Sequence, residues 1–559
     1  MRRSWLMLLL LAGCAAPGTR APAPLVPGPP VPGPLVDVKL IAFNDLHGHL
    51  QVPGTATRIP APQGGPDLQL PTGGVAWLAG RIEALRGENP RNAVVAGGDL
   101  IGASPLLSAL LKHEPTLAAL GEAGLEFSAV GNHEFDRGVD ELLRLQGLNH
   151  FQYLAANVRY RSNGQLVFPA WGSKDIALPG GSKVTVAFVG AVLRDTPALV
   201  SGDGVAKVQF LDEADAVNAA VREIRARGIE AIILLIHEGG FTEQDRFDDL
   251  TCPGFRGPIL GIVDRLDPAI DAIVSAHTHR AYVCRRNGRL VTSAGSEGRM
   301  VTDIDLAIDP ATGDVRSARA RQLAVVNDSR ENPLPAQFPL VPADARVMQQ
   351  VAEWSASIAP LANRVVGSVQ APMQRAPDDN GESIVGDLIA DAQLEATAEP
   401  TRGGAQIAIT NQGGVRADLA PANGQMTYEQ VFAVHPFGNF LVTMSLTGGE
   451  IKALLENQWR GGDRLVQVSR GLKYKWTASR PQDERIAPGD LLLHGQPLQL
   501  DQMYRVTVND FLATSDNFTV LRQGRDRLAG PVDVEVLESY LARHSPVAPP
   551  ATGRVTKLP

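Results

Sequence analysis

The sequence predicts an α/β protein built as two domains, and three observations carry that reading. Between residues 37 and 276, five short runs rich in Val and Ile end in Gly or polar residues: VKLIAF before Asp45, NAVVAGG before Asp99, EFSAV before Gly131-Asn132-His133, AIILLI before His237, and DAIVSA before His277. Each run reads as a buried strand of about five residues. From 363 to 559, helical patterns at SIVGDLIADAQLEAT and GGEIKALLENQW alternate with strands at AQIAIT, LVTMSL and YRVTVN. A connector lies between them.

That connector, from about 306 to 362, opens on a DPATGD turn, continues through the Pro-rich ENPLPAQFPLVP, and ends in a helix beginning near Asp344. Met348, Val351 and Trp354 are expected to be buried packing residues on that helix.

The chain has 559 residues, 44% hydrophobic and 20% charged, long enough for two or more domains. Its formal charge is -8, and loss of residues 1–13, with two Arg and no acids, leaves 50 minus 60, or -10. No basic patch stands out, which argues against a nucleic-acid polymer as partner. A small anionic substrate stays open, because metal ions supply positive charge locally.

Arg2 and Arg3 precede an apolar stretch from Trp5 to Ala12, too short to span a bilayer but suited to a secretory signal. The segment ends in Leu11-Ala12-Gly13-Cys14, which resembles a bacterial lipobox. That resemblance implies cleavage after residue 13, a lipid on Cys14, and membrane contact only through this lipid. With Ala15 rather than Asp next, it implies an outer-membrane address facing the periplasm. Residues 14–36, mainly Pro, Ala and Gly, read as an extended tether.

Two further cysteines, Cys252 and Cys284, form a pair with no leftover. In an oxidising compartment this reads as a disulfide closing a loop that contains His277 and His279. The chain-entropy model puts such a bond at about 3 to 4 kcal/mol.

The strand ends deliver Asp45, His47, Asp99, Asn132, His237, His277 and His279. Oxygen donors mixed with imidazoles suit Zn, Mn, Fe, Co or Mg, and a carboxylate between two ions can bridge them. Two divalent ions so held fit hydrolysis of a phosphate ester. His133 follows Asn132, and Asp136 three residues on can hold its ring, making a pair suited to protonating a leaving oxygen.

NDLHGH at 44–49, GGD at 97–99, GNHEFD at 131–136, LLIHEGG at 234–240 and SAHTH at 275–279 resemble the ordered motif set of the calcineurin-like metallophosphoesterases. With LAANV at 154–158, the chain resembles the secreted 5'-nucleotidase and UDP-sugar hydrolase branch. The resemblance implies a four-layer α/β/β/α sandwich over residues 37–330. It assigns Asp45, His47 and His279 to one ion, Asn132, His237 and His277 to the other, Asp99 as bridge, and His133 with Asp136 as catalytic dyad. A helical linker at 331–362 and a second α/β domain at 363–559 follow.

In that second domain, Asn411-Gln412-Gly413-Gly414-Val415-Arg416, HPFGN at 435–439 and NDFLATSDNF at 509–518 place aromatic rings beside polar groups. They resemble the C-terminal domain of the same 5'-nucleotidases. On that resemblance Phe437 and Phe511 stack a base, Asn411, Gly413 and Gly414 line its pocket, Arg416 meets phosphate, and Asp516 bonds the ribose. The family's Arg before the helix at Glu382-Ser383 is replaced by DDNGES, with Arg375 too far upstream to assign. The Thr514-Ser515-Asp516 turn is one residue short. The expected activity is hydrolysis of 5'-nucleotides outside the cytoplasm. The alternatives are a 2',3'-cyclic nucleotide phosphodiesterase, a UDP-sugar hydrolase, or a non-catalytic nucleotide-binding lipoprotein.

Overall fold

The computed structural model describes residues 35–54, 56–59, 67–178, 181–200, 202–243, 247, 249–328, 340–460 and 464–559. Cys14, the signal segment and the tether up to residue 34 lie outside the described residues, as do 331–339 of the Pro-rich stretch.

Two six-stranded sheets make the first region. One has the order 315–324, 300–308, 36–43, 92–96, 127–129, 152–154; the other has the order 281–286, 289–294, 272–275, 231–237, 183–192, 171–177. Alternation along the strands decides how they stack. In the strand Val36–Phe43, Val38, Leu40 and Ala42 share a core with Ile233, Leu235, Ala272 and Val274 of the other sheet. Its Ile41 and Phe43 point the opposite way, onto Val75, Leu78 and Ile82 of the helix Val75–Glu88. On the far sheet, Ile232, Leu234 and Ile236 face Val217, Val221 and Ile224 of the helix Glu213–Ala226. Helix, sheet, sheet, helix is therefore the layering, and both sheets are buried on two faces, which is why their strands read as unbroken apolar runs.

The strands 36–43, 92–96 and 127–129 are mutually parallel, as are 183–192, 231–237 and 272–275. Their carboxyl ends meet at one edge, where ligands gather in sheets of this kind.

Two expectations need correction. The DPATGD turn does not begin a connector: it joins strands 300–308 and 315–324, so the first region runs on to the edge strand. Met348 is exposed, whereas Val351 and Trp354 pack on the core with the buried Val347, Ile358 and Ala362. The apolar stripe of the helix Ala345–Ala362 therefore passes through 347, 351, 354 and 358, and Met348 sits about 100° round from Val347. Asp344 caps that helix by accepting from Arg346 N and Val347 N.

The second region centres on a five-stranded sheet, ordered 466–468, 407–411, 503–509, 440–447, 525–532, with the helix Ile384–Thr397 packed on it. Arg554, buried near the C-terminus, donates to both oxygens of Asp391 at 2.7 and 2.8 Å, and ties the last strand, Val555–Leu558, to that helix.

Candidate active site

Five of the seven expected ligands, Asp45, His47, Asp99, His277 and His279, have φ between 49° and 70°. A left-handed backbone at a non-glycine residue costs of order 1 kcal/mol or more, and it persists where the surroundings over-determine it. Here it turns each side chain back toward one point as the chain leaves the sheet. Gly131 shows how tight the packing is: a Cβ there would lie 2.1 Å from Asp99 Oδ1.

Asp45, His47 and His279 converge as one group, and Asp99, His237 and His277 as another. Asp99 stands between them, with Oδ2 3.1 Å from His237 Nε2 and 3.7 Å from His47 Nε2. Asn132 Oδ1 lies 3.1 Å from His237 Nε2.

Whether these groups fit metal ions is decided by where the imidazole protons sit. His47 donates Nδ1–H to the Gly102 carbonyl and His237 donates Nδ1–H to the Gly97 carbonyl, each at 2.9 Å. Both Nε2 atoms then face inward, the orientation a ligating histidine takes, and that of the neutral His47 has its lone pair free. His47 Nε2 and His279 Nε2 lie 3.0 Å apart, close enough for His279 to donate to the His47 lone pair or for both nitrogens to turn to one cation. Burial pushes His47 down to about 3 and His277 down to about 4, so both are neutral at pH 7. Burial opposes ionisation of Asp99 too, but the charge of His237 holds its carboxyl well below the usual range. His237 is itself driven up to about 10, against its burial, by Asp99. The proton on His237 balances the carboxylates, and it would be released on binding of a divalent cation there.

His133 Nδ1 is 2.9 Å from Asp136 Oδ2. Burial lowers the affinity of His133 for its proton, but Asp136 and Asp99 outweigh that and raise it above the ordinary histidine value.

Glu134 escaped the sequence reading. Buried in the GNHEFD turn, its carboxylate accepts from Asp99 N at 3.0 Å, Leu100 N at 2.8 Å and Gly131 N at 2.6 Å. It thus pins the Asp99 turn to the Asn132-His133 turn. Burial and the charge of Asp99 push Glu134 up to about 7. The only signal in the sequence is an acid lodged between a dyad histidine and a core Phe.

A cavity of about 240 Å³ opens from these groups onto the second region. His133, Asp136 and His277 line one side, and Asn411, Gly413, Gly414, Arg416, Phe437 and Phe511 the other. The Phe437 ring lies 6.1 Å from His133, nearly parallel to it, and Arg416 sits over its face at 5.6 Å. Asn509 is a second residue that the sequence did not reveal. It donates to Asn411 Oδ1 at 2.9 Å and accepts from Leu512 N at 2.8 Å, so one amide places both Asn411 and the turn bearing Phe511.

Arg375, unassigned in the sequence, reaches the site. The chain from Asp378 to Glu382 closes on itself, with Glu382 N donating to Asp378 Oδ1, and Ser383 Oγ donates to the Arg375 carbonyl at 2.8 Å. This folds the apparent gap away. Arg375 lines a second cavity of about 260 Å³ with Arg416, His47, His49, His279 and Glu297. Asp516 lies at the start of the segment Asp516–Gln523, and its side chain is outside the described residues. The residues flanking it bind the two regions together: Ser515 Oγ and Asn517 Nδ2 both donate to the Ala198 carbonyl, at 3.2 and 3.1 Å.

Cys252 and Cys284 are disulfide-bonded, with Cα atoms 5.5 Å apart. The bond ties the 241–256 loop to the strand that follows His277 and His279. Among the described residues no helix is long and apolar enough to cross a membrane.

The calcineurin-like phosphoesterase family model matches residues 38–281, and the 5'-nucleotidase C-terminal domain model matches residues 365–523. Endonuclease YhcR of Bacillus subtilis (strain 168) is 28% identical over 545 residues, covering 93% of this chain and 41% of that protein. Cell wall protein Lmo0130 of Listeria monocytogenes serovar 1/2a is 30% identical over 547 residues, covering 90% of this chain and 67% of that protein. The chain thus spans well under half the length of the first relative. The crystal structure of a 5'-nucleotidase precursor from Thermus thermophilus superposes with a TM-score of 0.74 at 26% identity, covering 94% of this chain and 99% of that chain. The chain belongs to the calcineurin-like phosphoesterases that carry a 5'-nucleotidase C-terminal domain, and with them to the metal-dependent phosphoester hydrolases.

Proposed function

We propose that the protein hydrolyses 5'-nucleotides to nucleosides and phosphate, using two divalent ions, outside the cytoplasm and tethered by a lipid on Cys14. One observation carries the substrate: a single cavity is lined by Phe437 and Phe511 at one end and by His133 and His277 at the other. Asp45, His47 and His279 would hold one ion, Asn132, His237 and His277 the other, with Asp99 between. Bound there, the ions supply positive charge against the phosphoryl oxygens and make water a better nucleophile at neutral pH.

The chain's own groups do the rest. Phe437 and Phe511 hold the planar base by stacking, and Asn411, fixed by Asn509, offers its amide to the base edge. Arg416, which lines both cavities, and Arg375 beside it hold the phosphate over the ligand shell. His133, with Nδ1 committed to Asp136, presents Nε2–H to the leaving 5' oxygen and protonates it. The envelope location is supported by Arg2, Arg3, the Trp5–Ala12 stretch and Cys14, and by a disulfide, which persists in oxidising compartments.

A panel of AMP, UDP-glucose, 2',3'-cyclic AMP, p-nitrophenyl phosphate and a single-stranded oligonucleotide, run with and without chelator, tests this reading. AMP should give the highest kcat/KM, and the oligonucleotide, included because one relative is named an endonuclease, should give none. Turnover of p-nitrophenyl phosphate without turnover of AMP would overturn the nucleotide assignment while leaving the hydrolase.

A further inference from the structure

Across His279 from the Arg375 cavity lies another cavity, of about 270 Å³, that the hydrolysis above does not use. Arg58, Arg280 and Arg299 line it with Thr242, Ser296 and Gly295, and among the described residues no carboxylate belongs to its lining. His279 is shared with the cavity of Arg375 and Arg416. The three cavities therefore form a row: Arg416 links the base cavity to the Arg375 cavity, and His279 links that one to the three arginines.

The charges in this last cavity are unequally matched. Arg299, largely buried, is paired with Glu297 at 2.8 Å, and the more exposed Arg58 is paired with Asp67. Arg280 has no ion pair among the described residues and instead packs its guanidinium 5.9 Å from the centre of the Phe241 ring. Phe241 is held by paired backbone bonds to Arg256, at 2.8 and 2.9 Å, within the loop that Cys252–Cys284 braces. Three guanidiniums gathered in a concave site raise the local concentration of anions. Fork-shaped donors beside two hydroxyls suit a tetrahedral oxyanion, and phosphate is the anion this enzyme handles.

We propose that Arg280, with Arg58 and Arg299, forms a second phosphate-binding site beside the ligand shell, reached across His279. The ligand is a phosphate group. It comes either as the inorganic product leaving on the side opposite the nucleoside, or as a further phosphate of a substrate that extends beyond the one being cleaved. The proposal rests on the hydrolase reading for its neighbour but not on the identity of the nucleotide, because its primary readout is phosphate binding.

Isothermal titration of inorganic phosphate into the metal-loaded full chain should find two sites in the wild type and one in Arg280→Ser and in Arg58→Ser, with Arg280→Lys keeping both. Thermal melts of the same samples check folding. Inhibition of p-nitrophenyl phosphate hydrolysis by phosphate should be mixed in the wild type and purely competitive in Arg280→Ser. Kinetics with AMP and with a 5'-phosphorylated dinucleotide separate the sources. A tenfold or greater fall in the dinucleotide-to-AMP ratio of kcat/KM in Arg280→Ser makes the occupant a substrate phosphate, and an unchanged ratio with altered inhibition makes it the product. One phosphate site in wild type and variants alike, with unchanged competitive inhibition, would overturn the proposal. A failure of AMP turnover alone would instead count against the nucleotide assignment.

Discussion

The ligand shell and the cavity of Phe437 and Phe511 share Asn132 and His277 but are held in place by different means. In the shell the backbone does the work: five ligands sit at left-handed φ, two imidazoles are locked by backbone carbonyls, and Glu134 fastens two turns through their N–H groups. Around that cavity, neither Asn411, Arg416, Phe437 nor Phe511 is left-handed, and side chains hold side chains: Asn509 fixes Asn411, and Arg416 sits over Phe437. A shell fixed by backbone tolerates almost no substitution, whereas a cavity fixed by side chains can be retuned one residue at a time. Chemistry is held constant by the first arrangement and specificity is adjustable in the second.

The largest losses should come from the shell. Asp99→Asn should lower kcat for phosphate release on the order of 10³-fold, since it loosens the hold on the two ions whose positive charge is worth several kcal/mol in the transition state. His133→Gln should cost about 10²- to 10⁴-fold in kcat with little change in KM, as expected for a proton donor at the leaving oxygen. Glu134→Gln keeps the shape of the side chain but forfeits an acceptor oxygen. It should weaken metal binding by about 10- to 100-fold, read as the metal concentration giving half-maximal activity. Equal metal dependence in that variant would show that the turns hold each other without it.

The cavity should respond in KM. Phe437→Ala and Phe511→Ala should each raise KM for AMP by about 5- to 150-fold, the range that stacking of one base carries, while leaving p-nitrophenyl phosphate within a few-fold of wild type. An unchanged KM for every nucleotide in both variants would remove the base clamp from the account.

The smallest effect lies far from both. Asp387 is buried near Arg554 and Glu382, and burial pushes it up to about 9, although Arg554 Nε stands 3.4 Å away and works against the rise. A carboxyl raised in the folded state makes folding favour the protonated form. Its contribution to stability is therefore full below the ordinary 3.8 and falls as pH rises towards 9. Asp387→Asn should raise Tm at pH 8 relative to the wild type by about 2–4 °C, the shift that ~1 kcal/mol gives in a domain of this size, and the difference should shrink steadily as pH falls towards 3.8. A lower Tm at pH 8 would mean that the ionised pair with Arg554 prevails.

Much of the shell was legible in the sequence because its ligands follow strands buried on two faces, and such strands announce themselves as short apolar runs. The layering itself needed the alternation of Ile41 and Phe43 against Val38, Leu40 and Ala42, which a continuous apolar run conceals. Glu134, Asn509 and Arg375 were not legible, for one shared reason. Each acts through a partner dozens of residues away, or across a turn whose closure, as at Asp378–Glu382, depends on hydrogen bonds rather than pattern. Met348 was misplaced by a one-residue error in helical phase, which moves a side chain about 100°.

The most direct test of the account is phosphate release from AMP by the full chain after chelation and dialysis, with Mn²⁺ or Zn²⁺ then added back. Release should fall to background in the stripped protein and return with either ion. Release that continues at the wild-type rate without metal would contradict the reading of Asp45, His47, Asp99, Asn132, His237, His277 and His279 as a hydrolytic metal shell.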